Sequence, residues 1–283
     1  MRQITIASGK GGTGKTTLSV NLAALLATKD KDVVLADADV EEPNSALFSK
    51  PAWIETIEAT KPTPVWNKDV CTLCGDCMRH CHFNAIMALP SEILVFPKLC
   101  HSCFACSELC PKDALPMENS RIGEIKIGSS MGVTCIEGRL DIGQEMATPL
   151  IAKTIQTGSN KAKDWLIVDA PPGTSCSFVE SIKDSEKVIL VTEPTAFGLH
   201  DLEAAVETVR ALKKPFGVVL NRVGMGDKRV EEYCERENIT IVAKIAHDEE
   251  IAKTYAKGEM IFQKVEHFKR ALEEVEAFLG GEL

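Results

Sequence analysis

Residues 9–16 read Gly-Lys-Gly-Gly-Thr-Gly-Lys-Thr, and no other stretch narrows the choice of fold as much. Before them stands RQITIA (2–7), short and β-branched enough for a strand; after them KTTLSVNLAALLAT (15–28) reads as a helix with an apolar face. A glycine-rich run between a strand and a helix turns a tight loop. Its backbone N–H groups can converge on an anion, and the helix N-terminus adds a favourable field. The spacing G-x-x-x-x-G-K-[ST] places Lys15 to reach the β- and γ-phosphates of a nucleotide and Thr16 to ligate Mg²⁺, with Gly11, Gly12, Thr13, Gly14 and Thr17 completing the cradle. DVVLAD (32–37) follows as a buried-type strand, so the chain opens as strand, loop, helix, strand, the start of a parallel α/β sheet.

The alternation then breaks. Residues 43–70 hold four prolines and two tryptophans with no clean period, and residues 71–110 hold eight of the eleven cysteines. Regular patterning resumes with strands expected at 121–127, 132–136, 165–169, 187–192, 216–221 and 239–245. Helices are expected near 148–157, 199–213, 229–237 and 263–279. With 283 residues and about 150 per domain, this predicts a discontinuous α/β domain (1–65 and 119–283) interrupted by a small insert (66–118). The last helix is amphipathic with a mixed, partly acidic polar face, which predicts core packing rather than a basic membrane anchor.

A second lysine, Lys10, lies inside the loop, and GKGGTGKTT resembles the deviant Walker A loop of the MinD/ParA/nitrogenase iron protein superfamily. The resemblance covers roughly residues 1–48 and 121–283. It implies a mostly parallel, doubly wound sheet of the SIMIBI-type P-loop NTPases. It also implies an ATPase whose ATP joins two subunits, either a homodimer or a heterodimer with a paralogue, with Lys10 reaching the nucleotide of the partner. In VVLADAD it gives Asp39 the attacking water, leaving Asp37 as a Mg²⁺-side or structural carboxylate. Asp169, before Ala-Pro-Pro-Gly, resembles the Walker B aspartate that holds Mg²⁺ through water. Asn221 and Arg222, after FGVVL, stand where the family contacts adenine, and Val223-Gly224 depart from the guanine-selective NKxD pattern.

Cys71, Cys74, Cys77 and Cys81 are spaced C-x₂-C-x₂-C-x₃-C, and Cys100, Cys103, Cys106 and Cys110 repeat the spacing before Pro111. This resembles the bacterial two-cluster ferredoxins, in which the fourth cysteine of each run crosses to the other cluster. The resemblance implies one [4Fe–4S] cluster on Cys71, Cys74, Cys77 and Cys110, and a second on Cys100, Cys103, Cys106 and Cys81. His82 follows Cys81 where such ferredoxins have proline. Zinc sites, by contrast, favour two separated CxxC pairs. Cys135, Cys176 and Cys234 form no CxxC and are expected to be buried small apolar residues, Cys176 being notable for its place beyond Pro171-Pro172-Gly173.

The net charge of −9 argues against non-specific nucleic-acid binding. No 18-residue apolar run predicts membrane integration. The N-terminus leads directly into a strand and loop, which predicts a cytoplasmic protein whose cysteines stay reduced. A nucleotide switch and an electron relay in one chain imply coupling to a redox or metalloprotein client. Three roles follow: an ATP-gated electron donor, a metal-centre or iron–sulfur assembly ATPase, or a spatial organiser with a redox-sensing module.

Overall fold

The computed structural model describes residues 1–281. The chain forms two compact units, one of Met1–Ile57, Ile125–Arg139 and Ile151–Leu283, the other of Glu58–Glu124 and Leu140–Leu150. The larger unit begins with β1 (Arg2–Ala7), α1 (Lys15–Ala27), β2 (Val33–Asp37) and the single turn α2 (Ala46–Ser49). β3 (Ala52–Pro64) leads into the smaller unit, which holds α3 (Asp76–Arg79), β4 (Ile86–Ala88), β5 (Ile93–Val95) and α4 (Ala105–Glu108). The chain returns through β6 (Met117–Ser130), β7 (Val133–Leu140) and α5 (Thr148–Ser159). It closes with β8 (Trp165–Asp169), α6 (Cys176–Ile182), β9 (Lys187–Thr192), α7 (Ala196–Ala211), β10 (Phe216–Val223), α8 (Arg229–Arg236), β11 (Ile241–Ala246), α9 (Glu249–Ala256) and α10 (Glu266–Gly280).

Nine strands form one sheet in the order β11-β10-β9-β1-β8-β2-β7-β6-β3. The pairs β1·β8, β1·β9, β2·β8, β2·β7, β9·β10 and β10·β11 are all parallel. Alternate residues of β9 show why both faces are covered: Ile189 and Val191 point into one core, Val188 and Leu190 into the other. On the first face α1 and α10 pack Leu18, Leu22, Leu26, Phe268, Leu272 and Val275 over Ile4, Ile6, Leu35 and Ile167. On the second, α6, α7 and α8 pack Phe178, Leu202, Val206 and Val230 over Val188, Val218 and Leu220. α10 therefore buries its apolar stripe in the core, and among the described residues no helix is long and apolar enough to cross a membrane. Leu22 is fully buried. Truncating it to alanine is expected to cost about 2–5 kcal/mol of stability in urea unfolding, since the surrounding core closes a cavity only partly.

Three differences from the sequence expectation have physical causes. β3 lies in the stretch without a clean period, because residues 52–58 are exposed on both sides and alternation begins only at Ala59. As the last strand of the sheet it tolerates Pro62 and Pro64. α9 was not expected; its eight residues give too few turns for a visible period, and it is started by Asp248, whose carboxylate accepts the Glu250 N–H at 2.6 Å. β6 runs to Ser130 and turns into β7 through Met131 and Gly132, both left-handed (φ 49° and 76°).

Candidate functional site

The parallel register assembles the first site. Ile6 of β1 pairs with Asp169 of β8, and Asp169 pairs with Asp37 of β2, so the loop after β1 and two carboxylates meet at the C-terminal ends of adjacent strands. Gly12 and Gly14 take positive φ (78° and 97°), which lets the loop close over the start of α1. Lys15 Nζ lies 3.5 Å from Asp169 Oδ1 and 3.9 Å from Asp39 Oδ2. Ser19, one turn into α1, donates its hydroxyl to Asp169 Oδ1 at 2.9 Å. Two buried atoms here have no hydrogen-bond partner, Thr13 Oγ1 and Asp169 Oδ2. A buried carboxylate oxygen beside a lysine and without a donor is suited to a hydrated divalent cation.

Asp37 plays a different part from its neighbours. It is fully buried and accepts the backbone N–H groups of Asp39 (3.2 Å), Asn44 (3.1 Å) and Ser45 (2.9 Å), which fixes the segment carrying Asp39. Burial, and then the Asp169 charge, push its pKa up to about 7 against the hydrogen bonds from Ser45 and the Lys15 charge. Burial likewise raises Asp39 to about 6, opposed by Lys15.

These residues open onto a groove of about 440 Å³. Gly11, Gly12, Gly14, Lys15, Thr16, Thr17 and Asp39 line one part of it, and Ile245, Ile251, Tyr255 and Phe268 an apolar part. Asn221 and Arg222 also line it, although Asn221 spends its amide on Thr13 O (2.8 Å), bracing the loop. Lys10 donates to Glu193 of its own chain, and Arg222 binds the other oxygen of the same carboxylate at 3.1 Å. Burial works to raise the Glu193 pKa, but the Lys10 hydrogen bond and the Lys10 and Arg222 charges outweigh it and hold the carboxyl low.

The second constellation lies wholly in the smaller unit. Cys71, Cys74 and Cys77 line one cavity together with Cys110. Cys100, Cys103 and Cys106 line another together with Cys81. Each cavity thus takes three cysteines from one run and the fourth from the other. The two halves repeat at a spacing of 29 residues. Left-handed backbone recurs at Leu73 and Ser102, Gly75 and Phe104, and Asn84 and Asp113. Backbone N–H groups reach sulfur at matching places, Leu73 to Cys71 and Ser102 to Cys100 (both 3.4 Å), and Ala85 to Cys81 (3.3 Å) and Ala114 to Cys110 (3.2 Å). Burial and the three other sulfurs of its cavity push the Cys106 thiol up to about 11. Burial and Cys71, Cys74 and Cys110 raise Cys77 in the same way. Among the described residues no three His, Cys, Asp or Glu side chains close on a point tightly enough for one metal ion.

A family model described as "CobQ/CobB/MinD/ParA nucleotide binding domain" matches residues 4–261. The chain belongs to this family. The uncharacterized protein MJ0579 of Methanocaldococcus jannaschii is 28% identical over 283 residues, spanning 97% of this chain and 96% of that one. The iron-sulfur cluster carrier protein of Pyrococcus horikoshii is 25% identical over 266 residues, spanning 87% and 74%. Among solved structures, the septum site-determining protein MinD complexed with Mg-ADP from Pyrococcus horikoshii OT3 aligns with a TM-score of 0.62 at 20% identity, covering 99% of this chain and 97% of that chain, a likeness of fold.

Beyond the residues read from sequence, this CobQ/CobB/MinD/ParA domain brings in Glu193, Ser19 and the α9 wall of the groove. Glu193 follows a buried parallel strand, the position where ligand-facing side chains collect, and that was its one available signal. The expectation of three buried extra cysteines is corrected at one of them. Cys135 and Cys234 are buried, each pushed up to about 11 by desolvation, but Cys176 is exposed at the first position of α6.

Proposed function

We propose that this protein is an ATP-hydrolysing dimeric switch that couples its nucleotide state to a two-cluster [4Fe–4S] module, serving as an ATP-gated electron donor to a partner protein. The observation that carries the reading is the presence in one chain of both sites: the Lys15, Asp39, Asp169 end of the sheet, and two cysteine cavities each lined by the fourth cysteine of the other run. The donor set fits the clusters. Four thiols surround each cavity, each run contributes N–H groups to its first and last sulfur, and the spacing is the ferredoxin one. Bound clusters would supply one-electron storage at low potential.

The roles of the chain's own groups follow from charge. Loop N–H groups and Lys15 bind the phosphates, Thr16 and Asp169 hold the Mg²⁺ shell, and Asp39 orients the attacking water. Asp37 holds the Asp39 segment in place through its three backbone contacts. Lys10 leaves Glu193 when two subunits close on ATP and turns to the nucleotide of the other. The protein acts in the cytoplasm, with no nucleic-acid partner.

Asp39→Asn tests the hydrolytic half. It is expected to bind ATP with near-normal affinity, to lose at least ~100-fold in turnover, and to accumulate as a dimer in size-exclusion chromatography with ATP. Normal turnover would remove Asp39 from the water-positioning role. Coupling is tested by titrating the cluster potentials of anaerobic protein with ADP and with a non-hydrolysable ATP analogue. Potentials and partner affinity indifferent to nucleotide would leave the two sites merely tethered. The similarity to iron–sulfur cluster carriers favours a second reading, in which a cluster is cargo. Transfer of iron from the protein to an apo-acceptor would select it; retention of all iron during ATP turnover selects the electron donor.

A further inference from the structure

Lys61, on β3, is only 2% exposed, and its ammonium donates to the carbonyl oxygen of Cys100 at 2.7 Å. Met146 Sδ stands 3.7 Å away. A lysine this deeply buried is uncommon, because removing an ammonium from water is unfavourable unless another group compensates for it. Cys100 is one of the four cysteines of the second cavity. The counterpart at the first cavity is Arg79, which donates to the carbonyl oxygen of Cys74 at 3.1 Å, but it is exposed and its charge is paired with the Asp76 carboxylate. Solvent and the neighbouring carboxylate screen that guanidinium, whereas a buried charge is screened much less.

We infer that Lys61 is a positioning residue that makes the two cysteine cavities electrically unequal, so that the cavity of Cys81, Cys100, Cys103 and Cys106 is the one in which an added electron rests. This deepens the two-cluster reading and depends on it. One-electron reduction adds a negative charge to a thiolate-ligated cluster. A fixed ammonium bonded to a ligand's own backbone favours that state, and net charge is among the terms that set such potentials. Lys61 thereby gives the relay a direction: electrons entering at the first cavity move downhill to the second.

The test is a potentiometric titration of anaerobic, full-length protein with dithionite as reductant, followed by electron paramagnetic resonance. It is run at one fixed pH so that His80 and His101, which line the second cavity, carry a constant charge. Lys61→Gln keeps a donor for the Cys100 carbonyl and removes the charge; Lys61→Arg keeps the charge. Lys61→Gln is expected to shift one of the two reduction equilibria about tenfold toward the oxidised form, about 59 mV for a one-electron couple. The other should stay in place, and Lys61→Arg should restore the first. The same shift should persist in a Cys110→Ser background, where only the second cavity keeps its four cysteines. Full iron content with both potentials unmoved in Lys61→Gln would overturn the inference while leaving the two-cluster reading intact. A shift confined to the other cluster would overturn it equally. Wild-type protein without iron would overturn both.

Discussion

Lys15→Ala is expected to weaken binding of Mg-ATP by more than about 100-fold in isothermal titration. The Lys15 side chain is 8% exposed and lies among Asp169, Asp39 and the loop. Desolvated there, its ammonium meets phosphate oxygens without competition from water. Removing one partner from such a pair costs about 3 kcal/mol or more, which is over two decades in Kd. A second consequence separates this variant from a simple loss of contact. Without the ammonium, Asp37, Asp39 and Asp169 face one another uncompensated, and Asp37 and Asp39 already sit high through burial. The unliganded variant therefore gains protons at this cluster, and nucleotide polyanion has no cation to meet. Lys15→Arg should also fail, because a planar guanidinium fork cannot replace a compact ammonium in a space this enclosed. Unchanged affinity in either variant would take the phosphate role away from Lys15.

How much of this was legible in the sequence depends on how local each interaction is. The loop from Gly9 to Thr16 declares itself because one short segment supplies the whole cradle. Asp37 and Asp169 were visible as strand-end carboxylates, and the parallel register that pairs them follows from the doubly wound sheet. What the sequence left open for Asp37 is that both its oxygens are taken by backbone N–H groups seven and eight residues on, and two residues on, a loop geometry with no pattern of its own. Glu193 was out of reach for another reason: it meets Lys10 across 183 residues of chain, and only the folded sheet brings the ends of β1 and β9 together. β3 was missed because its first seven residues are exposed on both sides, so the period-two signal that burial imprints on a strand is missing there. Lys61 escaped for the opposite reason, since a charged residue in a proline-bounded stretch reads as surface, and its burial beside Cys100 is known only from the fold.

The crossing of the fourth cysteines yields the sharpest expected result. Anaerobic wild-type protein should carry about eight irons per chain. Cys71→Ser and Cys110→Ser should each fall to about four, and the double variant Cys71→Ser/Cys110→Ser should remain at about four, because both changes strike the same cavity. Cys71→Ser/Cys81→Ser should lose nearly all iron, because Cys81 belongs to the other cavity. If each run instead held its own cluster, these outcomes would exchange: Cys71→Ser/Cys110→Ser would empty the protein and Cys71→Ser/Cys81→Ser would keep half. Sulfur geometry favours the first pattern. Cys110 lines the cavity of Cys71, Cys74 and Cys77, and Cys81 lines that of Cys100, Cys103 and Cys106. Removing one thiol leaves three donors around a cavity built for four, and a serine hydroxyl is a hard, weakly acidic ligand for iron that prefers thiolate. The charge-transfer absorption near the visible edge should halve in step with the iron, so that metal content and optical spectrum decide between the pairings independently.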